Sequence, residues 1–407
     1  MLFLAVDFGT SSTLAAFIDG IVLKFVDFGE GKYTTETVLR FPQKQRMGQK
    51  AYLIGHEAIR EYQEEGGRLM FSIKSLLGEK NFTSTIVPGF GACSAGQLCG
   101  LFLAKVKLLA EKQFGKEFQG VVLGRPADFS KDAIAELRNA GHLAGFRKVV
   151  FVPEPIAAGI KYFEENNGTP ETVFVIDAGG GTTDFAVLQN KGKIKVLSLG
   201  GLHQAGNALS ASVTYNHLSS HFGRNALWGE KRFPIPQHYF EALKNWRALQ
   251  FLKGERMGEV LTNCTQPVEF GRFVKLVSQN LGWELYNAVT LAKEKLSGLS
   301  QFSISLPTLD LSVPLGLPEF ERYSWSTVRQ IHKEALATVE RSGLGDQITT
   351  VILTGGTSKV PLVQRMAKEM FPTSKLVIAD PFSSVVGGLA IVANRLNSRK
   401  AKATAIG

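Results

Sequence analysis

Two short stretches of the chain carry the residue types needed to grip a row of phosphates. One is Asp7-Phe8-Gly9-Thr10-Ser11-Ser12 and the other is Asp177-Ala178-Gly179-Gly180-Gly181-Thr182-Thr183-Asp184. Glycine turns let backbone N–H groups approach an anion closely, and the hydroxyls of Thr10, Ser11, Ser12 and Thr182 can reach a phosphate or a metal. Each turn follows an aspartate at the end of an apolar run. Mg2+ around substrate phosphates favours a few carboxylates and keeps several waters, so Asp7 and Asp177 are the candidate holders of a hydrated Mg2+. Either turn alone is ordinary hairpin chemistry. Their pairing, with three consecutive glycines in the second, points instead to two loops clamping a nucleotide polyphosphate from opposite sides. A third turn, Thr354-Gly355-Gly356-Thr357-Ser358-Lys359, lies between the apolar run VILT and a helical pattern, where a helix N-terminus suits an anion or a polar ring edge. It is the candidate platform for the adenosine.

The elements that must position these loops form an internal echo. LAVDFGTSSTLAAFIDG (4–20) and VFVIDAGGGTTDFAVLQNKG (173–192) both read as strand, glycine turn and strand. Two such hairpins predict a duplicated, two-lobe α/β fold with a shared cleft. The expected lobe I covers 1–169, with an insert at 34–116, and is completed by a C-terminal helix over 381–400. Lobe II covers 170–380, with an insert at 214–299. GVVLGRP (120–126) reads as a strand and 130–145 as an amphipathic helix with Ser130 as N-cap. Residues 148–163 read as strand, turn and helix, and NGTP (167–170) breaks the chain. Residues 302–315 read as a strand pair, 324–344 as a long helix closed by Gly343, and 349–371 as strand, turn and helix. The inserts read as helical from 55 to 116 and from about 214 to 299. The stripe at 238–253, with Trp246 and Phe251, reads as the core of a helical subdomain.

Composition narrows the classes. A chain of 407 residues that is 44% hydrophobic exceeds what one compact core holds. Cys93, Cys99 and Cys264 lack Cys-x-x-Cys spacing, which argues against a disulfide framework or a zinc site and for a reducing compartment. No run approaches the roughly 18 apolar residues that span a bilayer, so a soluble, cytoplasmic protein is expected. The net charge of +10 admits a polyanion partner, yet the basic residues are scattered. The tight cluster of Arg395, Arg399, Lys400 and Lys402 reads as a solvated tail, and nucleic acid is not expected as a partner. His203, His217 and His221 have no acidic or cysteine ligands at matching spacing and read as structural or surface residues.

The ordered series DFGTSS, FSIKSLLG, GRPADF, PEPIAAG, DAGGGTTDF, AKEKLS and LTGGTSKVP resembles the phosphate, connecting and adenosine motifs of the DnaK-type (seventy-kilodalton heat-shock) chaperones, over nearly the whole chain. Within that family the chain looks most like the short bacterial DnaK-like proteins that also carry Gly-Arg-Pro in the first connecting motif and have only the nucleotide-binding domain. The resemblance implies an actin-like ATPase fold that binds ATP or ADP with Mg2+ and hydrolyses ATP slowly. It implies that Lys74 balances charge on the γ-phosphate and the attacking water, that Glu154 lies near Mg2+-bound water, that Asp184 orients the nucleophile and that Thr182 stands beside the γ-phosphate. Gly206 joins the nucleotide-binding residues, Lys293 and Ser297 contact ribose and base, and Gly355, Gly356 and Lys359 form the adenosine turn.

Departures from the family pattern bear on function. Lys359 stands where arginine is usual, and a lysine covers an adenine face less well than a guanidinium. Thr290 replaces a ribose-binding glutamate. Ala205 replaces a glycine, and Ala208 and Ser210 replace two acids. Pro126 matches the proline of the family's allosteric switch, while Ile134 stands in place of its arginine partner. The chain ends at Gly407 without the family's linker and peptide-binding domain, so an unidentified protein partner is expected. A small-molecule kinase of the same superfamily and a non-hydrolysing scaffold or filament protein are the alternatives.

Overall fold

The computed structural model describes residues 1–44, 51–254 and 256–404. They divide into two compact units. The first comprises Met1–His203, Lys333–Ser358 and the chain from Ala367 onward, and the second comprises Gln204–His332 with Lys359–Met366.

The first unit holds two mixed sheets of the same plan. One is built from β1 (Phe3–Phe8), β2 (Ser12–Asp19), β3 (Val22–Phe25), β4 (Gly120–Arg125) and β5 (Lys148–Pro153), in the order β5-β4-β1-β2-β3. The strand Thr34–Glu36 adds to β2. The other sheet is built from β6 (Glu171–Ala178), β7 (Thr183–Asn190), β8 (Ile194–Leu202), β9 (Thr350–Thr354) and β10 (Lys375–Ile378), in the order β8-β7-β6-β9-β10. In each, three antiparallel strands are followed by two parallel ones. The helices repeat as well. The series α1 (Ala95–Phe114), β4, α2 (Lys131–Leu143), β5, α3 (Glu154–Glu165) is matched by α4 (Leu317–Ser342), β9, α5 (Pro361–Met370), β10, α6 (Ser384–Thr404). The chain thus has the mixed α/β architecture of a duplicated actin-like ATPase fold.

Strand periodicity sets which side chains face the shared core. Along β1, Leu4, Val6 and Phe8 pack with Phe102 and Val106 of α1 and Leu137 of α2. Phe3 and Ala5 point the other way and join Ala157 and Ala158 of α3, Val173 and Val175 of β6 and Leu389 of α6. Asp7 is in phase with Phe3 and Ala5, and Asp177 with Val173 and Val175, so the two aspartates continue the two faces that share one core. α3 follows the first sheet yet packs on β6 and β7, while α6 follows the second sheet yet packs on β1, β2 and β4. Where these helices meet, a Cβ on Gly388 would lie 1.8 Å from the Ala157 carbonyl oxygen. Their backbones therefore touch with no side chain between them.

The second unit contains the helices Gly206–Val213, Pro267–Ser278 and Gly282–Lys295 and the strand pair Gln301–Leu306 and Leu311–Gly316. Its core is aromatic: Phe222, Tyr239, Phe240, Phe270 and Phe273 are buried, and the Phe270 and Phe273 rings lie 5.8 Å apart.

Several elements differ from the sequence-based expectation. The stretch 55–116 is mixed rather than helical. Between Gly55–Glu65 and α1 lie the strands Arg68–Phe71, Thr85–Val87 and Gly91–Cys93, each only three or four residues long and too brief to show a period. α3 starts at Glu154, directly after β5, with Pro155 in its first turn, where a missing N–H costs nothing. α4 begins at Leu317 rather than 324: Pro318 again fits a first turn, and the Glu319 carboxylate accepts from the Gly316 N–H at 3.1 Å. It ends before Gly343, which has φ +67°. The 238–253 stripe buries Tyr239, Phe240, Leu243, Leu249 and Leu252, but Phe251 is 70% exposed. It is α-helical only over Gln237–Glu241 and continues as 3-10 turns, because extended Asn245 caps the Arg247 N–H and interrupts the helix. Ser130 caps α2 as expected, accepting from Ala133 N at 3.1 Å. Arg395 pairs with Glu164 at 2.6 Å; the side chains of Arg399, Lys400 and Lys402 lie outside the described residues. No helix among the described residues is long and apolar enough to cross a membrane.

The backbone contact between α3 and α6 makes a testable demand. Gly388→Ala should destabilise the protein by about 1–3 kcal/mol or more, since carbonyl oxygen and methyl cannot share the space. Gly258→Ala, whose added carbon meets nothing within 4 Å, should change the urea midpoint little. Equal midpoints for the two variants would contradict the assigned helix contact.

Candidate functional site

The β1–β2 turn is built so that only glycine fits at its tightest point. A Cβ on Gly9 would sit 2.3 Å from the Ser12 carbonyl oxygen. The second turn is closed by the Gly179 N–H donating to Thr182 O at 3.0 Å. The two turns face each other: a Cβ on Gly181 would come within 2.9 Å of Thr10 Cγ2. The third turn touches the second from the side. Gly355 has φ +81°, and a Cβ there would strike Ala178 O at 2.3 Å and Asp177 Oδ1 at 2.8 Å. Thr357 donates its hydroxyl to Gly179 O at 2.7 Å.

Beneath the loops lies a buried charged cluster. Lys74 follows Ser72, whose φ of 45° turns the chain into the 3-10 segment Ile73–Leu76. Its Nζ donates to Glu154 Oε1 at 2.6 Å, and Lys74 and Glu154 are 1% and 8% exposed. Gly124 on β4 leaves room for this pair to approach Asp7: a Cβ there would lie 3.2 Å from Glu154 Cγ and 3.5 Å from Asp7 Oδ1. Asp184 accepts from the Ala127 N–H, in the loop after β4, and from the Thr182 hydroxyl. Arg125 sits within electrostatic range of Asp184 and Glu154 but donates to the carbonyls of Pro126 and Ala127 at 2.8 and 3.3 Å.

The acids outnumber the cations, and their proton affinities show it. Burial, then the charge of Glu154, pushes Asp7 up to about 7, with Lys74 opposing. The same two causes push Asp184 up to about 8 against the pull of its hydrogen bonds. Asp177 is held well above the usual carboxylate range by burial and by Glu154, Asp184 and Asp7. Thr354, the register partner of Asp177, has a buried hydroxyl with no hydrogen-bond partner among the described residues. An excess of buried carboxyl groups beside an orphaned hydroxyl is a donor set that suits a divalent cation. Among the described residues no three acid, histidine or cysteine side chains converge to ligate a metal directly.

The first unit therefore brings together Asp7, Lys74, Glu154, Asp177, Thr182 and Asp184 with the loops containing Gly9, Thr10, Ser11, Ser12, Gly179, Gly180 and Gly181, and with Gly355 and Gly356 of the third turn. In the second unit, Lys293 donates to Gly206 O and Ser210 Oγ, both at 3.2 Å, and burial lowers it to about 8. Ser297 donates back to Lys293 O at 3.5 Å, and the Thr290 hydroxyl is buried with no hydrogen-bond partner among the described residues. Lys359, the last residue of the 3-10 turn Gly356–Lys359, is exposed. His203 lies 3.3 Å from Asp128. Sequence reasoning missed Thr37, Thr357, Arg125 and the Ala127 N–H. Thr37 lies in no motif, and Thr357, Arg125 and Ala127 lie inside LTGGTSKVP and GRPADF with no role read for them, because the loop or carboxylate each one faces is brought near only by folding.

These proton affinities fix a pH dependence. An acid whose folded value lies above its unfolded value binds more protons when folded, so its contribution to stability is present at low pH and lost as pH rises toward the folded value. Without divalent cations, the thermal midpoint should fall between about pH 4 and pH 8. Asp184→Asn should flatten that fall, and Mg2+ should raise the midpoint more at pH 8 than at pH 5. A wild-type slope unchanged by Asp184→Asn, followed by scanning calorimetry, would refute the assignment. Compared with known protein families, the chain matches the family model described as Hsp70 protein over residues 3–228, more than half its length.

Proposed function

Because the chain belongs to the Hsp70 family and carries its ATP-binding, chaperone-type nucleotide-binding domain, we propose that it binds ATP and ADP with Mg2+ and hydrolyses ATP slowly. The observation that carries this reading is the buried Lys74–Glu154 pair set beneath two facing glycine loops among Asp7, Asp177 and Asp184. Asp7 and Asp177 are the proposed holders of hydrated Mg2+, which when bound would neutralise charge on the β- and γ-phosphates.

The protein's own groups supply the rest. The N–H groups of the two loops bind the phosphates, and the Lys74 ammonium offsets negative charge as it shifts from the γ-phosphate to the leaving oxygen. Asp184, in its ionised form, orients a water for in-line attack, with Thr182 holding both the carboxylate and the γ-phosphate side. Glu154 holds Lys74 in place through their short ion pair. Gly206, Lys293, Ser297, Gly355, Gly356 and Lys359 are the adenosine candidates that the family resemblance implies. A client or partner protein is the expected recipient of the ATP or ADP state. The free thiols of Cys93, Cys99 and Cys264 support a reducing, cytoplasmic setting.

Calorimetry with ATP and ADP in the presence of Mg2+, followed by phosphate release, tests the proposal. Binding of both nucleotides is expected. Lys74→Ala should lower phosphate release by about 100-fold or more, the size typical of losing one preorganised charge partner, while the variant still binds ADP. Failure of wild type to bind either nucleotide would leave a scaffold that uses the fold without its chemistry. Phosphate transfer appearing only when a sugar is added would favour the small-molecule kinase.

A further inference from the structure

We infer that Thr37 and Ser72 are positioning residues that aim the first glycine loop, and that they select for phosphate rather than for nucleoside. The inference rests on the proposed nucleotide site and concerns how its first wall is held.

All three carbonyls of the loop are tied to the framework behind it. Gly9 O accepts from the Thr37 hydroxyl at 2.8 Å, Thr10 O from the Ser72 hydroxyl at 3.2 Å, and Ser11 O from the Thr37 N–H at 2.9 Å. Thr37 is fully buried, and its hydroxyl also pairs with Thr13 Oγ1 at 2.8 Å, so its rotamer is fixed from two sides. In a trans peptide the C=O and the following N–H point in opposite directions. Drawing the Gly9 and Thr10 carbonyls toward the framework therefore turns the N–H groups of Thr10 and Ser11 toward the side on which Gly181 faces Thr10.

The two struts come from different places and meet on one loop. Thr37 directly follows the segment Thr34–Glu36, which is paired to β2 from Ser12 to Leu14. That segment is anchored by Glu36, whose carboxylate lies 2.6 Å from His56 Nδ1. Ser72 holds a left-handed backbone at φ 45° two residues before Lys74, and its own carbonyl accepts from the Ser75 N–H and hydroxyl. A non-glycine residue in that region is costly and persists where surrounding contacts demand it. Here the same strained residue sets the direction of Lys74 and one carbonyl of the loop, so lysine and loop are aligned by one joint.

The test compares Thr37→Val, Thr37→Ser and Ser72→Ala with wild type in calorimetric titrations of ATP, ADP and adenosine, alongside thermal midpoints. Thr37→Val removes the hydroxyl at nearly constant shape and leaves a buried carbonyl unpaired. It should weaken ADP and ATP by about tenfold or more, with adenosine within about twofold of wild type. Thr37→Ser should restore most of the loss, and Ser72→Ala should act in the same direction. In turnover assays the change should fall mainly on KM. A residue that served stability alone would lower the midpoint without changing the ADP-to-adenosine affinity ratio, and that result would overturn the inference. Should Thr37→Val fail to fold, Ser72→Ala with an unchanged ratio overturns it equally. Wild type binding no nucleotide would refute the functional proposal itself, whereas wild type binding with unaltered variants would refute only the role of the two struts.

Discussion

The arrangement of this protein depends on how an excess of buried negative charge is tolerated. Glu154 and Asp177 lie within electrostatic reach of each other and of both Asp7 and Asp184, and Lys74 makes the one short ion pair in the group among the described residues. Burying a charge without a partner is expensive, so such a cluster survives only if protons, a cation or the rest of the fold offsets the cost. The raised proton affinities of three of the four acids are the first remedy. The fold supplies a second in the Ala127 N–H and the Thr182 hydroxyl on Asp184. A cation bound with substrate would supply the third, and would make the site stable when loaded and uneasy when empty.

Duplication explains how one chain brings these groups together. Each half contributes a hairpin with an aspartate at the same phase, and the halves share a core because α3 and α6 exchange sides. The symmetry is not complete, and the difference is chemical. The first half adds Lys74 and Glu154, while the second adds Thr182, Asp184 and the glycine turn at 355. The carbonyl at the start of each loop is nevertheless held in the same manner, by the hydroxyl of Thr37 on one side and of Thr357 on the other.

Much of this was legible in the sequence because it is written locally. The glycine turns, the apolar strands before them and the strand phase that puts Asp7 with Phe3 and Ala5 all lie within a few residues of one another. The cap at Ser130 and the stop at Gly343 were readable for the same reason. Lys74 was a different case: nothing in FSIKSLLG separates it from a surface lysine, and only the resemblance to a family marked it. Thr37 escaped because its importance lies in contacts between separate segments; Thr357 and Arg125 stood inside quoted motifs but were given no role, since the Gly179 carbonyl and the Asp184 and Glu154 charges they face lie far along the chain. The short strands after residue 65 escaped because three or four residues do not reveal a period, and the 238–253 segment misled because one capping asparagine outweighed its helical stripe.

The meeting of Gly388 with Ala157 has a mechanical meaning. Side chains between two helices act as a cushion, since their rotamers can absorb sliding as well as tilting. Bare backbone against bare backbone offers no such give: separation loses the contact and translation drives peptide groups into each other. The spacing of the two helices is thus set at this crossing by the backbones themselves, while Lys161 with Ser383, the residue before α6, and Glu164 with Arg395 tie the same helices through side chains away from it.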